Sequence, residues 1–123
     1  MSEFTDVAQR YLAAWNETDP AARQERVAAL WTADGSYVDP LAEVRGRDRI
    51  AALIAGVQDQ FPGFTFRLAG DVDGHHRLAR FSWELGPAEG PAPVAGSDVV
   101  TLDEDGRVTS VLGFLDRVPA PAS

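Results

Sequence analysis

The sequence contains no cysteine and only two histidines. Without cysteine, the chain cannot form a disulfide framework, a thiolate metal site or a cysteine nucleophile. The histidines, His75 and His76, are neighbours, and adjacent side chains on a strand point to opposite faces. No further histidine or cysteine exists to complete a transition-metal site. We therefore predict that the protein binds no metal ion.

Positive charge and long apolar runs are also scarce. The formal net charge is −8 at pH 7, and an acidic surface repels both nucleic-acid phosphates and anionic membranes. No apolar run approaches the roughly 20 residues that span a bilayer. The first six residues lack the basic and apolar segments of a signal peptide. We expect a soluble, cytoplasmic protein that binds neither nucleic acid nor membrane.

The chain does contain enough apolar material for one folded domain. It has 123 residues, of which 45% are hydrophobic. At this length roughly two thirds of the surface of the unfolded chain can be buried. No internal repeat is present. We predict a single domain over residues 1–118 and a frayed tail over residues 119–123.

Hydrophobic residues at helical spacing predict three helices, near residues 3–17, 20–32 and 47–61. The second helix has a typical start in Thr18-Asp19-Pro20, where a capping side chain precedes proline. Residues 33–35 are interpreted as a break, followed by a short strand near residues 36–38. The segment 41–46 is interpreted as a loop that leads into the third helix.

From residue 64 onward the hydrophobic period changes to two, which is typical of strands. We predict strands near residues 64–72, 76–86, 94–103 and 107–117, with tight turns at Asp73-Gly74 and Asp105-Gly106. Residues 86–93 are rich in proline and glycine and are interpreted as a mobile hairpin loop. Helices grouped before an antiparallel meander predict an α+β fold. A strongly curved sheet of this kind would leave a concave apolar cavity against a helix.

Three polar side chains lie in apolar surroundings. Asp98 shares one face of its predicted strand with Val94 and Val100, Tyr11 lies on the hydrophobic stripe of the first helix, and Asp39 ends a short strand. Burying a bare carboxylate is costly, so Asp98 must be paired, protonated or reachable by a ligand. The structural alternatives are a core tyrosine, a turn-forming Asp39 and an Asp98 paired with an arginine. Together, the three groups predict a reactive pocket.

The order of elements resembles the nuclear transport factor 2-like superfamily, which includes ketosteroid isomerases and SnoaL-like polyketide cyclases. The motifs that carry the resemblance are Gln9-Arg-Tyr-Leu-Ala-Ala14, Tyr37-Val-Asp-Pro40, Gly46 before the third helix, and Asp98 ahead of the Gly106 turn. The resemblance covers nearly the whole chain. It implies a cone-shaped, curved antiparallel sheet wrapped around three N-terminal helices, that is, a cystatin-like α+β barrel.

The resemblance also implies a set of catalytic residues. In ketosteroid isomerases one aspartate moves the proton, while a tyrosine and a protonated aspartate donate hydrogen bonds to the dienolate oxygen. The matching positions imply that Asp39 moves the proton and that Tyr11 and Asp98 hold the substrate oxygen. Aromatic residues of such a cone are candidates for core packing or for substrate binding: Trp15, Phe61, Phe81, Trp83 and Phe114.

Three classes of function remain open. The first is a cofactor-independent enzyme that transfers a proton next to a carbonyl of a small hydrophobic substrate, as an isomerase or an aldol-type cyclase. The second is a non-catalytic binder of a small apolar molecule in the same pocket. The third is a dimerising interaction module. Convergence of Tyr11, Asp39 and Asp98 on one solvent-reachable cavity would favour the first two classes, and a cavity filled by Trp15 and Trp83 would favour the third.

Two related chemistries fit the residues less well. Limonene-1,2-epoxide hydrolase-like enzymes resemble this fold but place an arginine two positions before the strand aspartate, where this chain has Gly96. Scytalone dehydratase-like chemistry needs inward histidines, and at most His76 could serve.

The outer face of a curved sheet also needs cover if it carries apolar residues. We assign four residues to that face, namely Val99, Thr101, Val111 and Leu115. We therefore expect a homodimer built on this face. The expected partners are a small hydrophobic molecule and a second copy of the chain.

Overall fold

The computed structural model describes residues 3–119 and contains three helices and six strands. The predictions for residues 1, 2 and 120–123 lie outside the described residues. The helices are α1 (Glu3–Asn16), α2 (Pro20–Leu30) and α3 (Arg47–Gln60). The strands are β1 (Trp31–Val38), β2 (Glu43–Arg45), β3 (Phe64–His75), β4 (Leu78–Pro87), β5 (Val94–Leu102) and β6 (Val108–Arg117). Among the described residues, no helix is long and apolar enough to cross a bilayer.

The six strands form one curved sheet in the order β2-β1-β6-β5-β4-β3. The predicted antiparallel meander from β3 to β6 is confirmed, and with it the α+β fold. Two details differ from the expectation. β1 pairs with β6 in parallel, so the sheet is mixed. Within the described residues, β2 and β3 remain at opposite edges, so the sheet does not close into a barrel.

The junction between α2 and β1 differs most from the sequence interpretation. The start of α2 is confirmed, because the Asp19 carboxylate accepts a hydrogen bond from the N–H of Ala22 at 2.9 Å. The helix ends earlier than predicted, and Trp31 already has extended backbone angles. Gly35, interpreted as a break, lies inside β1, where a side chain would approach the Trp31 ring within 2.7 Å. The pairing of β1 with β6 shifts register between Trp31 and Ser36. This irregularity explains why the sequence pattern did not predict a strand at residues 33–35.

The segment interpreted as the loop 41–46 contains β2, which pairs with β1 as a short edge strand. Only three residues of β2 pair, and their burial does not alternate strongly. A strand this short carries too little periodicity to be found from sequence.

The turn between β3 and β4 lies three residues later than predicted, at residues 76 and 77. Asp73 pairs with Arg80 within the ladder, and the positive φ of 50° falls on His76. Gly74 therefore does not make the turn. A side chain at Gly74 would meet the Phe4 ring at 2.4 Å, so this glycine allows close packing of α1 on the sheet. The second predicted hairpin is confirmed at Gly106, which has a φ of 81°.

The inner face of the sheet packs against α1, and the core lies between them. Burial alternates along β5, and the predicted inward face, which carries Asp98 and Val100, is confirmed. Asp98 and Arg23 are the buried charged residues of the described chain. Because Asp98 pairs with Gly113 across the sheet, positions 111, 113 and 115 of β6 share its inward face.

This register corrects the assignment of the outer face. Val111 is fully buried and Leu115 packs against the core, so neither lies on the outer face. The outer face of β6 instead presents Leu112 and Phe114, which are 43% and 62% exposed. Phe114 therefore cannot line an internal cavity, contrary to its assignment as a substrate-binding residue. Strand periodicity alone does not say which of the two faces of β6 points inward.

Candidate functional site

A cavity of about 440 Å³ lies between α1, α3 and the inner face of the sheet. Tyr11, Asp39 and Asp98 all line it, so the structure brings the three sequence-predicted polar residues together. The rest of the lining is mostly apolar. It includes three of the candidate substrate-binding residues: Trp15, Phe61 and Trp83.

The remaining two aromatic candidates do not line this cavity. Phe81 is buried behind Tyr11, with the two rings 5.3 Å apart in an edge-to-face arrangement. It therefore packs against a site residue and fixes the position of its ring. Phe114 lies on the opposite side of the sheet.

Asp98 is the most unusual group of the cavity. Its side chain is 2% exposed, and Oδ2 accepts a hydrogen bond from the indole N–H of Trp83 at 3.1 Å. The second oxygen, Oδ1, has no hydrogen-bond partner. Burial raises the pKa of Asp98 from 3.8 to about 6, although the Tyr11 hydroxyl and the Trp83 N–H act to lower it. Asp98 thus changes its charge near neutral pH.

Tyr11 lies beside Asp98 on the last turns of α1. Burial raises the pKa of its hydroxyl well above 10.0, and the neighbouring negative charge of Asp98 raises it further. Tyr11 therefore keeps its proton at neutral pH and can act as a hydrogen-bond donor. Its hydroxyl is near enough to influence the carboxyl of Asp98, although it makes no hydrogen bond of normal geometry to Oδ1.

Trp15 also contributes an unpaired polar atom to the cavity wall. Its indole Nε1 is buried and has no hydrogen-bond partner. The same N–H lies close enough to Tyr11 to lower the pKa of that hydroxyl, against the larger effect of burial. Of the three unpaired buried side-chain atoms in residues 3–119, two therefore belong to residues that line this cavity. Unpaired buried polar atoms are costly and rare, and a ligand that supplies the partners is one explanation.

Asp39 has a different environment, because its carboxylate is already fully engaged. Oδ1 accepts hydrogen bonds from the backbone N–H groups of Leu41 and Ala42, at 2.8 and 2.9 Å. Oδ2 accepts one from the Tyr37 hydroxyl at 2.7 Å. These contacts hold the turn between β1 and β2. They leave Asp39 less free than Asp98 to exchange a proton with a ligand.

The sequence interpretation missed Tyr37 as a site residue. Tyr37 lines the cavity, is 4% exposed and orients Asp39 through its hydroxyl. Burial raises the pKa of Tyr37, and the charges of Asp98 and Asp39 act in the same direction, so this hydroxyl also stays protonated. A signal was available, because residues two apart on a strand share a face, which places Tyr37 beside Asp39.

Gly113 makes room for the two carboxylates. A side chain there would come within 2.6 Å of Asp98 Oδ1 and within 3.4 Å of the Asp39 Cβ. The close approach shows that Asp98 and Asp39 flank the same glycine of β6. Gly96, on the neighbouring strand, gives the Trp83 ring its space in the same way, since a side chain would meet that ring at 2.3 Å.

Residues 3–119 contain no group of three or more His, Asp or Glu side chains that could hold a metal ion. What the cavity does offer is a titrating acid with a free oxygen, two protonated tyrosines and an unpaired indole N–H in a mostly apolar enclosure. This arrangement can hold a polar oxygen of an apolar molecule and exchange a proton with it or with an adjacent carbon.

Comparisons with known proteins agree with this architecture. The model of the SnoaL-like domain matches residues 8–111 of the chain. A solved structure from Agrobacterium tumefaciens strain C58, a proposed isomerase of the SnoaL-like family, is 45% identical. That match covers 94% of this chain and 99% of the other, with a TM-score of 0.90. None of the curated proteins compared matches the chain.

More distant structures share the fold alone. A proposed SnoaL-like polyketide cyclase from Jannaschia sp. CCS1 is 16% identical, with a TM-score of 0.70 over 99% of this chain and 97% of the other. A nuclear transport factor 2-like protein of unknown function from Cytophaga hutchinsonii is 15% identical, with a TM-score of 0.67 over 92% and 89% of the two chains. With the domain match covering most of the sequence, the chain belongs to the family of SnoaL-like domains, within the nuclear transport factor 2-like superfamily.

Proposed function

We propose that the protein is a cofactor-independent enzyme that moves a proton next to a carbonyl group of a small hydrophobic substrate, as an isomerase or an aldol-type cyclase. One observation carries the proposal: a buried aspartate, Asp98, has a pKa of about 6 and a free oxygen in an apolar cavity. A general base works best when its pKa is near the working pH. The 45% identical relative, itself a proposed isomerase, supports the same class of reaction.

The proposal assigns the proton transfer to Asp98 and a positioning role to Asp39. The family resemblance implied the reverse assignment. The Asp39 oxygens accept three hydrogen bonds, whereas Asp98 Oδ1 accepts none. A base needs a free lone pair directed at the proton it removes, and Asp98 meets that requirement better.

The reaction balances without any group beyond the chain and the substrate. The Asp98 carboxylate takes a proton from the carbon next to the substrate carbonyl, and the electron pair moves onto the carbonyl oxygen to give an enolate. The Tyr11 hydroxyl donates a hydrogen bond to that oxygen and stabilises its negative charge. In an isomerase, Asp98 returns the proton to another carbon. In a cyclase, the enolate carbon attacks a second carbonyl of the same molecule, and Asp98 returns its proton to the alkoxide oxygen that forms.

Deuterium exchange tests the proposal without knowledge of the natural substrate. Apolar ketones such as 1-tetralone and 2-decalone, incubated with the protein in D₂O, should gain deuterium next to the carbonyl faster than in buffer alone. Asp98→Asn should abolish the enhancement, and Asp39→Asn should reduce it less. Asp105→Asn is the matched control, because Asp105 is exposed in the turn between β5 and β6 and does not line the cavity. Enhancement that survives Asp98→Asn would contradict the assignment of the base.

Non-catalytic binding of a small apolar molecule is the second candidate function. It is favoured by the mostly apolar lining of the cavity and by the shielding of Asp98 Oδ1 from water, which is unfavourable for a base that must reach a substrate proton. A protein of this kind would bind the same ketones, as measured by calorimetry, without accelerating deuterium exchange.

We also propose that two copies of the chain associate through the outer face of the sheet. Leu112 and Phe114 lie there among the exposed large hydrophobic side chains of the described residues, and Val99 lies in the same region on β5. Exposed apolar side chains grouped on one face favour association. A cytoplasmic location also stays a prediction.

A further inference from the structure

A second cavity, of about 470 Å³, lies where the end of α1 meets α2 and α3. It shares one wall with the first cavity. The shared residues are Trp15, Val57, Phe61, Phe66 and Leu85. On its far side the second cavity is lined by the Arg23 side chain, with Thr18 and Gln58 beside it. A shared apolar wall therefore separates the two cavities. The first cavity carries the carboxyl groups of Asp39 and Asp98, and the second carries the guanidinium group of Arg23.

Arg23 is the buried cation of the described chain, with 8% of its surface exposed. Its Nε donates to the carbonyl of Glu17 at 3.1 Å. Its Nη2 donates to the carbonyl of Thr18 at 3.3 Å and to the side-chain oxygen of Gln58 at 2.6 Å. All three acceptors are neutral, and together they fix the plane of the guanidinium group.

Two features of Arg23 are not explained by this structural role. Within residues 3–119 no carboxylate lies within 4 Å of its guanidinium group, although the chain carries a net charge of −8. Its Nη1 makes no hydrogen bond to the described residues and is not among their shielded unpaired atoms, so it stays accessible to water or to a ligand. By contrast Arg26, one turn further along α2 and half exposed, pairs with Glu17 at 2.9 Å. A buried charge without a counter-ion is costly unless a partner is supplied.

From this geometry we propose that the second cavity binds the carboxylate of an apolar carboxylic acid, with the Nη1 edge of Arg23 as the carboxylate-binding group. The guanidinium is held in place by its three neutral bonds, so little side-chain freedom is lost on binding. The apolar chain of the ligand packs against the shared wall. Asp59 is an acidic residue of the lining, but it is exposed and does not pair with Arg23. The proposal does not depend on proton transfer at Asp98.

The charge of a ligand distinguishes the two cavities. The first cavity contains the carboxyl groups of Asp39 and Asp98, which repel an anion. It should therefore prefer an uncharged molecule to a carboxylate of the same length. The second cavity should show the opposite preference because of Arg23.

Octanoate and its uncharged analogue octanamide form a matched pair of probes. In calorimetric titrations at low ionic strength, the wild-type protein should bind octanoate at least roughly tenfold more tightly than octanamide, as expected for a charge-assisted hydrogen bond. Arg23→Gln should remove this preference, and Arg26→Gln should leave it intact. Equal binding of the two probes by the wild type, or a preference that persists in Arg23→Gln, would overturn the proposal.

A second variant controls for loss of folding, because Arg23 joins α2 to Gln58 of α3, which in turn donates to the Trp15 carbonyl of α1. Arg23→Lys keeps the positive charge and should retain part of the octanoate preference. If neither variant folds, the wild type alone decides the matter through NMR. Octanoate should shift the Arg23 side-chain N–H resonances, while octanamide should not, and the octanoate effect should weaken with added salt. An unshifted Arg23 resonance at saturating octanoate would refute the site.

Discussion

At the scale of single residues, the decisive property is the environment of Asp98. Most buried acids are paired with a cation or with several donors, but Asp98 has one donor, the indole of Trp83. Its pKa of about 6 means that the native state resists ionisation of this group. The stability of the protein should therefore depend on pH through this one side chain.

Asp98→Asn should stabilise the protein at neutral pH. Between pH 3.8 and about 6, native Asp98 keeps a proton that the unfolded chain has released, so stability falls as pH rises through this window and levels off above it. The difference in pKa corresponds to about 3 kcal/mol. Urea unfolding should show nearly equal stability of the two proteins near pH 4 and a gain of up to about 3 kcal/mol for the variant near pH 7. A difference that does not change with pH would mean that Asp98 titrates normally.

The three tryptophans provide a spectroscopic test of the same titration. Trp83 donates its indole N–H to Asp98, so its ¹⁵N–¹H resonance should follow the ionisation of that carboxyl, with a midpoint near 6. The Trp31 indole N–H, which has no partner, is the internal control and should stay constant. Trp83→Phe removes a donor that favours the ionised form, so it should raise the pKa of Asp98 further. A Trp83 resonance that does not move between pH 4 and 8 would contradict the pKa.

The sequence identified polar site residues that occupy apolar positions, because a polar side chain on the apolar face of a helix or strand is visible in the sequence pattern. Tyr11 and Asp98 were found in this way, and both line the cavity. Hydrogen bonding between neighbours leaves no such pattern. The three donors to Asp39 and the lack of a counter-ion at Arg23 therefore appeared only in the structure.

At the scale of elements, the long helices and the meander were predictable because their periodic patterns extend over nine or more residues. The sequence-based predictions were wrong where the structure depends on how one strand pairs with another. β2 is too short to show a pattern, and β1 is irregular near Gly35. The inward face of β6 depends on its register with β5, which the sequence of β6 alone does not contain.

The register of β6 makes a prediction for its glycine. Gly113→Ala would bring a methyl group within 2.6 Å of Asp98 Oδ1, so it should displace the carboxyl, shift its pKa and reduce any activity at the cavity. Destabilisation of about 1–3 kcal/mol is typical of such overpacking. Thermal unfolding and the Trp83 resonance would measure the two effects.

Gly56→Ala is the matched control. Gly56 lies within α3 and a side chain there meets nothing within 4 Å. Alanine should stabilise the helix by about 0.5–1 kcal/mol, because glycine loses more backbone freedom on folding. If Gly113→Ala behaved like Gly56→Ala, the close approach of β6 to Asp98 would be incorrect.

At the scale of the whole molecule, the two proposed functions lie on opposite faces of the sheet. The inner face carries the cavity, and the outer face carries Leu112 and Phe114. A substitution on the outer face should therefore change association without changing the site.

Phe114→Asp tests the proposed homodimer. A charge beside these exposed apolar side chains should convert a dimer into a monomer, as measured by light scattering at micromolar concentration. Ala52→Asp, on the exposed face of α3, is the control and should leave the mass unaltered. A wild-type protein that already has the monomer mass would contradict the proposed association.

The position of β6 between β1 and β5 has a consequence for how the site comes into being during folding. The parallel pair joins Tyr37 to Val111, more than seventy positions away along the chain, and non-local pairings of this kind slow folding because a long loop must close first. The meander can form from contacts between neighbours in sequence, but the enclosure around Asp98 needs β6 beside both β5 and β1. Ligand binding at this cavity should therefore recover only with the slowest phase of refolding, after the helical signal has already returned.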